Sequence, residues 1–232
     1  MSDTRQWKDY VDQNGLPCQL GGDGGDSAQR LGMIGLAVNN TNAAIVPDLP
    51  NYVTEIDKLE IQPGIMIRNP IKYNNPDDFS RDQQSAIVIA SGYNNDQARC
   101  KRLLWAHIQR FGKYQNSDWG APDDFACYFR ALNWYFMYPL VLLGDMFLLG
   151  SVLVRLYKAA QDPTDTSDDL DLTMQLIQAK ENMATPISWA ARLLYKKFRR
   201  NGVQWAFDSY FSEASGAPPM NVLYESVLTN RL

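Results

Sequence analysis

Residues 131–154 read ALNWYFMYPLVLLGDMFLLGSVLV, and the environment of this one stretch decides the fold. It is nearly long enough to cross a bilayer, which takes about 20 apolar residues. Arg130, Arg155 and Lys158 flank it and aromatic residues crowd its first half, in the manner of a membrane-interface belt. Against that, Asp145 lies near its middle, where a charge costs roughly 2.5–3.5 kcal/mol on insertion scales. Asn133, Pro139, Gly144 and Gly150 interrupt it further. The reading favoured is a central helix wrapped by other helices. Asp145 then needs a partner, because an unpaired buried charge is expensive. Pro139 should kink the helix or divide it.

The rest of the chain supplies helices to do the wrapping. Leu31, Ile34 and Val38 recur at helical spacing after Asp26-Ser27-Ala28-Gln29, which has the form of a capping box. Ser80-Arg81-Asp82-Gln83 has the same form and precedes a helix expected to stop at Ser91-Gly92. Further helices are expected over 95–111, 123–160, 168–182 and 186–200, the last opened by Thr185-Pro186 and closed by Asn201-Gly202. Short helices are expected at 4–13, 51–59, 203–213 and 218–229, and an extended piece at Ile65-Met66-Ile67-Arg68. No alternating pattern of strand length appears. The fold class is all-α: one globular domain of about eight to ten helices, in a helical-hairpin or toroid-like arrangement, with long irregular loops and a buried central apolar helix. Residues 1–25 form an irregular arm, residues 26–232 the helical domain, and 161–169 an acidic linker within it.

Composition narrows the function. The chain has 232 residues and a net charge of −4, without the basic face of a nucleic-acid binder. Cys18, Cys100 and Cys127 match no zinc or redox spacing and read as buried thiols. His107 is the single histidine, which removes most His-based metal sites and a His pair but leaves a His–Asp or carboxylate mechanism open. The polar start, Met1 to Tyr10, carries no secretory signal, and a cytoplasmic location or one within an assembled particle is expected.

What could carry chemistry is a recurrence of aspartates at helix starts. Pro76-Asp77-Asp78-Phe79 and Pro122-Asp123-Asp124-Phe125 repeat one tetrad, and Gly21-Gly22-Asp23-Gly24-Gly25-Asp26 opens another helix. Aspartate is a good helix cap, and the helix dipole favours a negative charge there, so one acid per start needs no function. A cluster is different: Asp78 and Asp82 share a helix face, where like charges are unfavourable. If the starts gather at one rim, Asp26, Asp78, Asp82 and Asp123 are the candidate catalytic acids. Arg30, Arg81, Trp119 and Tyr93 are then the candidate substrate-binding residues, with aromatic rings to stack on a sugar. No metal ligand set or cofactor fingerprint is present, although a cation such as calcium could sit at the aspartates.

Three functional readings follow. The first is a structural or interaction protein, a component of a larger viral or cellular assembly, with a protein partner or a homo-oligomer and no nucleic acid. Its docking surfaces would be the loops 1–25, 43–76 and 113–122 and the segment holding Val222, Leu223, Tyr224, Val227 and Leu228. The basic run Arg192, Lys196, Lys197, Arg199 and Arg200 would meet an acidic surface or simply complement a helix end. The alternative is a carbohydrate-active hydrolase or lyase that binds a glycan between paired aspartates. The third, membrane association, is the least favoured.

Overall fold

The computed structural model describes residues 10–18, 24–37, 50–164 and 169–211. Gly21 to Asp23, the end of the first helix, the segment 218–229 and most of the expected helix at 4–13 lie outside these residues. The domain is all-α. In chain order it comprises α1 (Ser27–Ala37), α2 (Tyr52–Glu55), β1 (Glu60–Gln62), β2 (Ile65–Met66), α3 (Arg81–Tyr93), α4 (Gln97–Gln109), α5 (Pro122–Ala131), α6 (Tyr138–Gln161), α7 (Asp169–Glu181) and α8 (Pro186–Phe211). The two strands pair antiparallel as a small hairpin. Residues 10–18 form a tight loop in place of helix, with the Asp12 carboxylate accepting from the amides of Asn14 and Leu16 at 2.8 and 3.0 Å.

The central position belongs to α3. Every residue from Gln83 to Ser91 is buried, and α3 packs against α1, α4, α5 and α7. It joins two hydrophobic clusters. Ala86 and Ile89 face one with Leu148, Val152, Leu176 and Tyr195, while Ile87, Val88 and Ala90 face the other with Leu103, Leu104 and Ala126. Three of its buried polar side chains bond to neighbouring elements. Gln83 accepts the Gln29 amide at 2.9 Å, Gln84 donates to the Tyr128 hydroxyl, and Ser91 bonds the Tyr52 hydroxyl at 2.7 Å. This is why the capping box expected for α3 does not form: Gln83 is drawn across to α1, and the Ser80 hydroxyl donates to Asp82 rather than capping α3.

The stretch that reads as a central rod is instead split and lies on the outside. After α5 the chain turns at Asn133, whose φ is 55°, a left-handed conformation asparagine tolerates. A 3-10 turn, Tyr135–Met137, follows, and Pro139 sits in the first turn of α6, where its missing N–H costs nothing. Only one stripe of α6 is buried: Val141, Gly144, Asp145, Leu148 and Val152. That stripe packs on α5 and α8, and among the described residues no helix covers the other faces.

The expected partner for Asp145 exists. Arg130 at the end of α5 donates to one carboxylate oxygen, and the Thr185 hydroxyl donates to the other at 2.5 Å. Arg130 and Asp145 are fully buried. Thr185 also starts α8, with a reciprocal pair of bonds: its amide donates to Ser188 Oγ at 2.9 Å, and the Ser188 amide donates to Thr185 Oγ1 at 3.0 Å. Arg199 of α8 then pairs with Asp169, which also lies 3.6 Å from Arg155 of α6. Contacts at both ends thus set α8 beside α6 in the same direction. The expected stop at Asn201-Gly202 does not occur, and α8 continues to Phe211. An interior glycine costs about 1 kcal/mol, too little to end a long packed helix.

Two glycines of α6 have opposite surroundings. A methyl at Gly144 would lie 2.6 Å from Ala126 Cβ and 2.9 Å from the Pro122 carbonyl oxygen, whereas one at Gly150 would meet nothing within 4 Å. Gly144→Ala should therefore destabilise by about 1–3 kcal/mol through overpacking, and Gly150→Ala should stabilise by about 0.5–1 kcal/mol through helix propensity. Urea unfolding of the two variants checks both signs.

Candidate functional site

The starts of α3, α5 and α7 meet at one end of the domain and bring charged side chains together. Arg81 opens α3, Asp123 and Asp124 lie in the first turn of α5, and Asp171 lies in the first turn of α7. The helix dipole explains acids at such positions, but not their burial. Asp123, Asp124 and Asp171 are only 6%, 4% and 5% exposed. Arg81 pairs with Asp171 at 3.2 Å, and Asp124 accepts the Ala121 amide at 2.6 Å. One carboxylate oxygen on each of the three acids has no hydrogen-bond partner among the described residues.

Burial has an electrostatic consequence. It pushes Asp123 up to about 7, with the charge of Asp124 adding to the rise and Arg81 and Arg130 opposing it. Burial likewise raises Asp171 to about 7, with Arg81 opposing and Asp124, Asp82 and Asp123 adding. Asp124 is raised by burial too, against the pull of Tyr114, the Ala121 amide and Arg81. Near neutral pH this corner therefore shares its protons among several carboxyl groups.

Two spaces adjoin the acids. Asp124 borders a very small one, with Gln84, Tyr114 and Tyr128. Asp123 and Asp171 line a much larger cavity of about 470 Å³, together with Arg81 and Gln175. Its opposite wall is α6, through Met146, Phe147, Gly150 and Val154. A volume of this size is within the range of small-molecule sites, roughly 300–1,000 Å³.

Of the acids and bases expected at a common rim, the structure brings Arg81 and Asp123 to one cavity, while Asp82 accepts from the Ser80 hydroxyl and does not line it. Asp26 stays at the start of α1, its carboxylate 3.4 Å from Gln83 Nε2, and does not line the cavity. Asp78 is exposed on a 3-10 turn, with its carbonyl accepting from Arg68 Nε at 2.6 Å. Arg30 is buried beside the Cys18 carbonyl at 3.4 Å. Trp119 is 70% exposed with Lys113 Nζ 4.6 Å from its ring centre, and Tyr93 ends α3 at the helix terminus opposite Arg81. The two rings expected as a sugar platform therefore do not line the cavity.

Among the described residues no group of three or more His, Cys, Asp or Glu side chains is arranged to hold a metal ion, so the calcium expectation finds no site there. His107 is buried against the rings of Tyr114, Phe125 and Tyr128, and burial lowers its basicity. All three cysteines are buried, and none forms a disulfide with another.

Asp124, Asp171 and Gln175 were not among the expected site residues. The signal for Asp171 was present in Asp168-Asp169-Leu170-Asp171, a further aspartate-rich helix start that reads as the edge of a linker. Comparison with protein-family models, curated proteins and solved structures finds no match.

The raised acids predict how stability changes with pH. Their folded values lie above the ordinary 3.8, so the folded chain holds protons that the unfolded chain releases. This contribution is full below about pH 4 and is lost as pH rises through about 7. Asp123→Asn cannot ionise. Urea unfolding should show it gaining roughly 1–3 kcal/mol over wild type between pH 4 and pH 8. Parallel pH curves for the two proteins would contradict the assignment.

Proposed function

We propose that this chain is an interaction protein, a component of a larger assembly, that docks through the outward face of α6. One observation carries this reading. Leu140, Leu143, Met146, Phe147, Leu153, Val154 and Tyr157 are each 45–66% exposed on a single helix. Tyr135 and Phe136, at 64% and 76%, extend the exposed apolar surface before its start. Fully burying one such side chain is worth about 1.5–3 kcal/mol, and contiguous exposed apolar surface on this scale marks interaction sites. Neighbouring α8 exposes Trp189 and Leu193 as well.

The same helix is long and apolar enough to cross a membrane by length and composition. Spanning a bilayer would expose the inner stripe and separate Asp145 from Arg130 and Thr185. That loss favours docking from the folded state over insertion.

A second reading, acid–base chemistry on a glycan, draws support from Asp123 and Asp171 lining one cavity with values near neutrality, where a general acid or base works best. Against it, Phe147 is the one aromatic residue on the cavity wall among the described residues.

The docking reading is tested with Leu143→Glu combined with Leu153→Glu, two exposed positions outside the cavity. Light scattering after size exclusion should show concentration-dependent assembly of wild type and a monomeric variant with an unchanged circular dichroism spectrum. A wild type that stays monomeric at about 1 mM, the weak end of protein affinity, and binds no lipid vesicles in flotation contradicts it. Flotation of wild type alone would reassign the stripe to a lipid surface.

A further inference from the structure

The cavity between α5, α6 and α7 presents hydrogen-bond acceptors that the protein does not use. Asp123 and Asp171 each keep an oxygen without a partner among the described residues. Gln175 lines the same cavity, is 4% exposed and forms no side-chain hydrogen bond among the described residues. Asp171 and Gln175 are one turn apart on α7 and so share its face, while Asp123 comes from α5. Buried polar groups are nearly always hydrogen-bonded, so two idle carboxylate oxygens beside an unused amide around one space point to a ligand that would complete them.

The chemistry of that ligand follows from the walls. Arg81 pairs with Asp171 at 3.2 Å and Arg155, the other cation on the wall, lies 3.6 Å from Asp169, while Asp123 has no ion pair among the described residues and Asp82 and Asp124 add negative charge nearby. With both arginines matched to carboxylates, an anion would face the unneutralised Asp123. On the α6 wall Ser151 already donates to the Phe147 carbonyl at 3.1 Å, and a polyhydroxyl ligand would leave further hydroxyl groups unbonded against Met146, Phe147 and Val154. A metal ion lacks a ligand set. A primary ammonium has three N–H donors for three acceptors, and an attached carbon chain suits the apolar wall. Gly150 keeps space open beside it, since even a methyl group there would touch nothing within 4 Å.

We propose that this cavity is a binding site for a primary alkylammonium group, held by Asp123, Asp171 and Gln175, with its carbon chain lying along Met146, Phe147 and Val154. The group comes either from a small amine or from a lysine of a protein seated on α6. The site goes beyond the docking role and does not require it.

The test is a titration of ¹⁵N-labelled full-length protein with n-hexylammonium, following the Gln175 side-chain amide. Saturable shifts are expected with the amine and none with n-hexanol. Asp123→Asn and Asp171→Asn should each weaken binding at least tenfold. Gly150→Leu, which keeps all three acceptors and fills the space, should do the same and guards against misfolding of the acid variants. Two amphipathic helical peptides, identical except for a central lysine or norleucine, separate the sources. A clear preference for lysine supports a protein-borne group, and amine binding without that preference supports a small amine. No saturable shift with hexylammonium up to about 10 mM, or equal affinity in wild type, Asp123→Asn and Gly150→Leu, overturns the proposal. The Leu143→Glu, Leu153→Glu variant lies outside the cavity and should keep amine binding even where assembly is lost, so the two proposals fail separately.

Discussion

The buried pair between Arg130 and Asp145 fixes which way α6 faces. Arg130 comes from the end of α5, Asp145 from the first half of α6, and Thr185 joins them from the start of α8. Removing two charges from water is expensive and is repaid only when geometry and partners are good. The arrangement therefore acts less as a source of stability than as a selector of orientation. Rotating α6 by half a turn would leave Asp145 in the open, Arg130 charged and unpaired inside, and the Thr185 hydroxyl without its acceptor. With the pair made, Val141, Leu148 and Val152 point inward, while Leu143, Met146, Phe147 and Val154 point out.

The acidic corner depends on that choice. Its apolar wall consists of residues on the flank of α6 that borders α5 and α7, and Gly144 lets α6 approach α5 closely enough to close one side. The buried acids come from two helix starts, those of α5 and α7, positions that welcome negative charge at the surface. Here they are covered, so the carboxyl groups retain protons at pH values where exposed aspartates would be ionised. Such groups cost stability unless something completes them, which is the common condition of a binding site.

The all-α class, the helix start at Thr185-Pro186, the break near Pro139 and a partner for Asp145 were all legible in the sequence. Each rests on a local rule: capping, ring sterics or the cost of a lone charge. The position of residues 131–154 was not legible, because a helix apolar on all sides has the same sequence whether other helices or nothing in the fold cover it. The helix that does occupy the centre, α3, looks less apolar because Gln83, Gln84 and Ser91 are satisfied by side chains and backbone far away in sequence. The candidate site was half legible for the same reason. Aspartates at helix starts can be read locally, and Arg81 and Asp123 do line one cavity. Whether two starts are neighbours is a tertiary fact. It brought in Asp171 and Gln175, left Asp26 beside Gln83 and Asp78 facing water, and put Trp119 on an outer loop.

The orientation of α6 is tested most directly by a double-mutant cycle on unfolding free energies, using Arg130→Met, Asp145→Leu and the pair together. With the two charges paired in the interior, each single change should cost about 3–5 kcal/mol, because it strands the other charge. The double change should cost far less than the sum, giving a coupling of at least about 2 kcal/mol. Additive costs, with coupling within about 0.5 kcal/mol of zero, would mean that Arg130 and Asp145 do not meet in the folded protein, and that α6 does not face as described.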